Sequence, residues 1–243
     1  MDDSIMKRTA LATNRYERQE LLPEIGTEGQ HRLAQARVLI VGTGGLGSPL
    51  ALYLAGAGIG RIGLADNDVV SLNNLHRQVL YAEDQLDRPK VDMAAQRLHT
   101  LNGEVKIDTY PCSITAETAG PIISRYDIVA DACDNFSTRY LLSDVCAAQG
   151  KPLVHGAVRG FCGQVAVLCA HPGAKTYRDL YPDEEATLHM PPPPKGIVGM
   201  TAGVVGCVQA HEVLKLVCGH GDLLDGRLWT IDLRTMQSFV LEL

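Results

Sequence analysis

The stretch Arg37-Val38-Leu39-Ile40-Val41-Gly42-Thr43-Gly44-Gly45-Leu46-Gly47 decides the fold class. A short apolar run of strand length, rich in β-branched residues, leads straight into a G-x-G-x-x-G turn. Leu46 to Ala57 then reads as a helix with small residues on several faces. Strand, glycine turn and helix open a βαβ unit of a Rossmann-like sheet. In such a turn Gly42 permits the tight bend, Gly44 lets backbone approach a phosphate, and Gly47 lets helix and strand pack closely. The helix N-terminus presents free N–H groups and partial positive charge to an anion. Ile62 to Leu64 reads as the next strand and Asp66 ends it, 19 residues after Gly47, where an acidic residue takes ribose hydroxyls. A glycine turn used only for packing is the competing reading, and the strand, the helix and Asp66 together weigh against it.

Outward from this unit the strand–helix alternation continues. Pro89 to Thr100 has Val91, Ala94, Ala95 and Leu98 on one helical face, with Pro at the first position. Strands are predicted at Val105 to Tyr110, Asp127 to Asp131, Pro152 to His155 and Gln164 to Cys169, and a helix over Asn135 to Gln149. A further helix runs from about Thr201 to Val217, and strands near Leu228 to Ile231 and Ser238 to Leu241 close the chain. The fold expected is α/β and Rossmann-like, a mainly parallel twisted sheet flanked by helices with antiparallel C-terminal strands. Residues 1–243 read as a single nucleotide-binding domain, with 1–14 flexible. Residues 170–199, which include Pro191-Pro192-Pro193-Pro194, show no periodicity and are expected to form a functional loop over the site.

Composition bounds the function. Apolar content of 46% with 21% charged residues suits a globular α/β domain, and a net charge of −6 without any basic run argues against nucleic acid as a partner. No signal peptide is visible after Met1, and the longest apolar run, Ile197 to Val208, is too short and glycine-rich to span a bilayer. The seven cysteines (Cys112, Cys133, Cys146, Cys162, Cys169, Cys207 and Cys218) are scattered, mostly in apolar segments, and read as reduced, buried thiols of a cytoplasmic protein.

Three further pieces carry charge. Asp131-Ala132-Cys133-Asp134-Asn135 lies where a strand ends and a helix begins, at the carboxyl edge of the sheet where α/β ligands bind. Asp134 reads either as a helix cap or as the hard oxygen ligand that magnesium takes beside a phosphate. Lys90, in Arg88-Pro89-Lys90, stands in the first turn of a helix, where a cation opposes the macrodipole and so points to another use, such as a phosphate. Arg77, in Asn74-Leu75-His76-Arg77-Gln78, reads singly as a solvated residue. Two cations and an extra carboxylate suit a triphosphate with a metal ion better than a nicotinamide cofactor.

Taken in order, Arg15-Tyr16-Glu17-Arg18-Gln19, the glycine turn, Ala65-Asp66-Asn67-Asp68 and the three charged pieces resemble the successive motifs of the ThiF/MoeB/HesA family, bacterial relatives of ubiquitin-activating enzymes. The resemblance runs from about Arg15 to the end. It implies an adenylyltransferase that uses ATP and Mg2+ to join AMP to the C-terminal Gly-Gly carboxylate of a small ubiquitin-fold sulfur-carrier protein. By position, Gly45 and the loop would support the nucleotide and Asp66 the ribose. Arg77 and Lys90 would hold phosphates and Asp134 the magnesium, while Asn74 and Gln78 would complete the polar wall. Arg18 would reach the site of a neighbouring subunit, since the family forms dimers.

Two departures qualify the resemblance. Many relatives hold zinc with two C-x-x-C pairs; here the first corresponding segment is Thr176-Tyr177-Arg178-Asp179 and no two cysteines have that spacing, so no zinc is expected. No cysteine lies between Cys169 and Cys207, and Cys207 falls within a helix, so adenylation with a separate sulfur donor is expected rather than a covalent enzyme–carrier link. The alternatives are a non-catalytic scaffold or inactive partner of the same fold, and an NAD-dependent oxidoreductase.

Overall fold

In the computed structural model, which describes residues 14–191 and 196–243, the run Arg37–Val41 becomes β1, and its side chains go alternately to two cores. Val38 and Ile40 join one cluster, and Leu39 and Val41 join the other. The same division recurs in β4 (Ile128–Asp131), β5 (Leu153–Arg159) and β6 (Cys162–Leu168). A strand covered on both faces has no polar side, which is why these segments read as continuous apolar runs. β2 (Arg61–Ala65) and β3 (Lys106–Tyr110) complete the parallel part. β7 (Arg227–Asp232) and β8 (Gln237–Glu242) extend it beyond β6.

The sheet order is β3-β2-β1-β4-β5-β6-β7-β8. Pairing is parallel from β3 to β5 and antiparallel from β5 to β8, as the sequence predicts. Chain order moves outward on one side of β1 as far as β3, then returns to the other side with β4. The gap between β1 and β4 is therefore the topological switch point, where the loops leaving two adjacent strands diverge and open a crevice.

Helices cover the two faces. On one lie α2 (Gly26–Gln35), α3 (Gly47–Ala57), α4 (Lys90–Leu101) and α9 (Gly199–Cys218), and on the other α5 (Ala116–Ile123) and α6 (Phe136–Gln149). A short helix α1 (Glu17–Glu20) precedes α2, and Gln19 Nε2 ties it to the Ala57 carbonyl at the C-terminal end of α3. Glycines set the closest approaches. A Cβ on Gly47 would fall 2.0 Å from the Gly42 carbonyl oxygen, and one on Gly206 would fall 2.5 Å from that of Leu46, where α9 crosses α3.

Several expectations are corrected. Pro89 is the N-cap of α4 rather than its first residue, because the helix begins at Lys90. Segment 170–199 is not wholly loop: α7 (Tyr177–Leu180) and α8 (Glu184–Leu188) form within it, and Tyr177 is fully buried against Tyr140 and His155. Pro192 to Pro194, and the expected flexible segment apart from Asn14, lie outside the described residues. Helix α9 runs for 20 residues, long and apolar enough by composition to cross a membrane, but half of it is buried against the sheet and α3. Cys162 is exposed, unlike the buried Cys133, Cys146, Cys169 and Cys218. Neither α2 nor α5 is foreseen from the sequence: two glycines interrupt the first, and Gly120-Pro121 reads as a turn in the second.

The packing makes two opposite predictions for one substitution. Gly47→Ala places a methyl group against backbone and should cost at least about 1–3 kcal/mol in urea unfolding. Gly56→Ala, on the exposed side of α3 with nothing within 4 Å of the added Cβ, should stabilise by about 0.4–1 kcal/mol in the same measurement.

Candidate active site

The glycine turn leaves β1 at the switch point with Gly42 at φ +93°, a left-handed conformation that glycine adopts without strain. A Cβ there would lie 2.6 Å from the Ala132 carbonyl oxygen, so the turns after β1 and β4 touch backbone to backbone. Asp66, at the end of β2, fixes the turn from the other side. Its Oδ2 accepts from Thr43 N at 2.8 Å and from Thr43 Oγ1 at 2.9 Å, and its Oδ1 accepts from Asp68 N. The Tyr81 hydroxyl donates to the Thr43 carbonyl at 2.9 Å. Burial pushes that phenol well above its ordinary pKa, so it remains a donor at neutral pH. Asp66 thus holds the loop as well as standing where ribose is expected, and a carboxylate with about four lone-pair sites retains acceptor capacity.

The segment after β2 returns to this loop through a 3-10 turn at Leu72–Asn74. Arg77 Nη2 donates to Asn74 Oδ1 at 2.9 Å and Nη1 to the Asn73 carbonyl at 3.2 Å, which orients the guanidinium. Its Cδ lies 3.5 Å from where a Gly45 Cβ would stand, and Gln78 Nε2 is equally close to that of Gly44. Gln78 is buried with Oε1 unpaired among the described residues.

Lys90 opens α4 with its side chain 97% buried, its ammonium paired to the exposed Asp68 at 2.8 Å. Its backbone N–H donates to the Asp68 carbonyl, so one residue fixes both its main chain and its charge. Across the crevice Asp134 is exposed, and among the described residues its carboxylate has no hydrogen-bond or ion-pair partner. The cap of α6 is Asn135, whose Oδ1 accepts from Thr138 N, so the capping reading of Asp134 is set aside.

The structure therefore brings together Gly42, Gly44, Gly45, Gly47, Asp66, Asn74, Arg77, Gln78, Lys90 and the turn bearing Asp134. Arg18 stands apart. It is exposed on α1, at the end of α3 opposite the glycine turn. Residues that the sequence reading left without a role are Thr43, Asp68, Tyr81 and a buried group under the second turn. In that group Asp131 Oδ2 accepts from His155 Nδ1 at 2.7 Å and faces Arg139 Nε at 3.7 Å. The one sequence signal was His155 itself, a polar residue inside an apolar strand.

The profile of the ThiF family matches residues 16–243. The chain belongs to the ThiF family. Among curated ThiF-type relatives, the adenylyltransferase and sulfurtransferase MOCS3 of Mus musculus is 46% identical over 226 residues, covering 90% of this chain and 47% of that protein. The sulfur carrier protein adenylyltransferase of Thermus thermophilus is 44% identical over 240 residues, 93% of this chain and 86% of that one. The chain thus spans about half the length of the MOCS3 relatives. Solved structures share the fold: E. coli MccB with ATP superposes at a TM-score of 0.82 with 23% identity, over 94% of this chain and 71% of that one. PaaA superposes at 0.80 with 21% identity, over 100% and 74%.

Burial pushes His155 below its ordinary pKa against the pull of Asp131. Burial also works to raise Asp131, but the His155 hydrogen bond and the Arg139 charge outweigh it and hold the carboxyl low. His155 is then neutral, with Nδ1–H donating to the carboxylate. Below about pH 6.5 the unfolded chain takes up a proton at this histidine that the folded chain refuses, so stability is lost as pH falls through that value. Asp131 adds a further loss below the ordinary carboxylate range. The melting temperature should drop between about pH 7 and pH 5. His155→Asn, which keeps a donor near Nδ1 but does not titrate, should show a smaller drop.

Proposed function

We propose that this chain adenylates the C-terminal Gly-Gly carboxylate of a small ubiquitin-fold sulfur-carrier protein, consuming ATP and releasing pyrophosphate. The observation that carries this reading is the placement of two oriented cations, Arg77 beside Gly45 and buried Lys90, around a phosphate-type glycine loop with a free carboxylate opposite. The names of the Thermus and mouse relatives, both adenylyltransferases, agree with it.

The chemistry asks little more of the protein. The carrier's carboxylate is already a nucleophile, so neither a general base nor a covalent residue is required. The obstacle is repulsion, as an anion approaches the α-phosphate of a highly charged nucleotide and pyrophosphate departs. The loop N–H groups and the N-terminus of α3 hold phosphate oxygens, while Asp66 receives ribose hydroxyls. Arg77 and Lys90 stabilise charge that builds on the departing phosphates, in an environment where preorganised donors need not reorganise. Asp134 offers an uncommitted hard oxygen of the kind magnesium takes, and the remaining coordination would come from phosphates and water. Magnesium, when bound, would neutralise phosphate charge.

A homodimer in which Arg18 serves the partner's site explains why Arg18 lies far from the site of its own chain. The half-buried Cys207 thiol, which burial makes less acidic, favours a separate sulfur donor over a covalent enzyme–carrier link. We also propose a cytoplasmic enzyme without structural zinc. Thr176 and Asp179 bond to each other where many relatives place the first cysteine pair, Thr176 N and Oγ1 both donating to Asp179 Oδ2.

ATP–pyrophosphate exchange with a panel of ubiquitin-fold carriers tests the reading. Exchange should require magnesium and an intact Gly-Gly tail; ATP binding with no tail-dependent exchange by any carrier would point to a scaffold. Arg77→Ala, Lys90→Ala and Asp134→Ala should each lower turnover by about 10²–10³. Metal analysis should find far less than one zinc per chain, and a full equivalent of tightly bound zinc would overturn that part.

A further inference from the structure

We propose that His155 and Arg139 are positioning residues which, through the buried Asp131, hold the turn bearing Asp134 ready for magnesium. The proposal rests on the adenylation reading and deepens it.

The turn between β4 and α6 is clamped at one residue from two directions. Asp131 Oδ1 accepts from Cys133 N at 2.9 Å, and Arg139 Nη2 donates to the Cys133 carbonyl at 2.7 Å. Both main-chain polar groups of Cys133 are thus held by side chains. Asp131 is held in turn by His155 Nδ1 on β5, and Arg139 reaches back to it from α6. From α9, Gln209 Nε2 donates to the main-chain carbonyls of Asp131 and Val154 at 2.8 and 3.1 Å, and Gly156 leaves room for it. Asp134 follows directly on this fixed backbone.

A buried ion pair is a poor way to stabilise a core, since apolar residues of similar volume serve as well or better. Its physical value is directional. Three elements meet on one turn, and the turn cannot shift without leaving a buried polar group unpaired. The carboxylate that this precision serves is the solvent-facing Asp134, because Asp131 is itself fully enclosed. Tyr177 closes the network from the other side, its ring 5.1 Å from that of His155, so the segment after β6 seals the same group.

Mn2+ binding, read by loss of the free-ion paramagnetic resonance signal in the presence of a non-hydrolysable ATP analogue, tests the proposal without turnover. His155→Leu fills the site but cannot donate, and should weaken Mn2+ by about ten- to a hundredfold, the usual cost of losing a group that orients a metal ligand. Analogue affinity without metal should stay within about twofold, since the phosphate-binding groups are untouched. His155→Asn should restore most of the Mn2+ affinity. Arg139→Gln should behave like His155→Leu; if it fails to fold, Arg139→Lys, which cannot reach Asp131 and the Cys133 carbonyl together, carries the same expectation. A folded His155→Leu protein that binds Mn2+ as wild type does, while Asp134→Asn does not, would overturn this inference alone. Unchanged Mn2+ binding in Asp134→Asn would overturn the magnesium role on which it rests.

Discussion

One backbone contact organises the site: Gly42 against the Ala132 carbonyl, where the turns leaving β1 and β4 meet at the switch point. There is no room for a side chain at Gly42, and none at Gly47 on the far limb of the same turn. Those absences bring the start of α3, the end of β4 and the start of α6 to one crevice. The remaining site residues are placed relative to it, through Asp66 on Thr43 and Tyr81 on the Thr43 carbonyl.

Charge in this crevice is unevenly committed. Lys90 is buried and has a single exposed partner, Asp68, whereas Asp131 is buried and held by two groups. The first arrangement commits the cation to a single carboxylate at the surface. The second spends its polar groups on shape. Asp134 is exposed without a partner among the described residues, and the half-buried Arg77 is oriented by Asn73 and Asn74. In the proposed reaction the site thus supplies positive charge from Arg77 and Lys90 and a hard oxygen from Asp134.

Much of the fold was legible in the sequence because apolar runs, helical periodicity and the glycine turn mark local structure. The βαβ start and the mainly parallel sheet follow from local patterns, Lys90 and Asp134 gave weak signals by their places at helix starts, and Arg77 stood out only through the family resemblance. What was not legible depended on distant contacts. Asp66 was read only as a ribose ligand, and its bonds to Thr43 emerge once β1 and β2 pair in register. His155 was read only as the last residue of a strand, and its role shows once its partner on the neighbouring strand, Asp131, is known. The segment after β6 looked unstructured because its order comes from tertiary burial of Tyr177 rather than from periodicity. Arg18 shows the opposite limit, because its proposed role lies in another copy of the chain.

The central claim is that this glycine turn serves a triphosphate rather than a nicotinamide dinucleotide. Calorimetric titration of the folded protein with ATP–magnesium and, separately, with NAD tests it most directly. The account predicts that ATP binds, that NAD does not compete, and that a combined Arg77→Ala, Lys90→Ala variant loses ATP while keeping its fold. Tighter binding of NAD, or ATP binding indifferent to both cations, would contradict it.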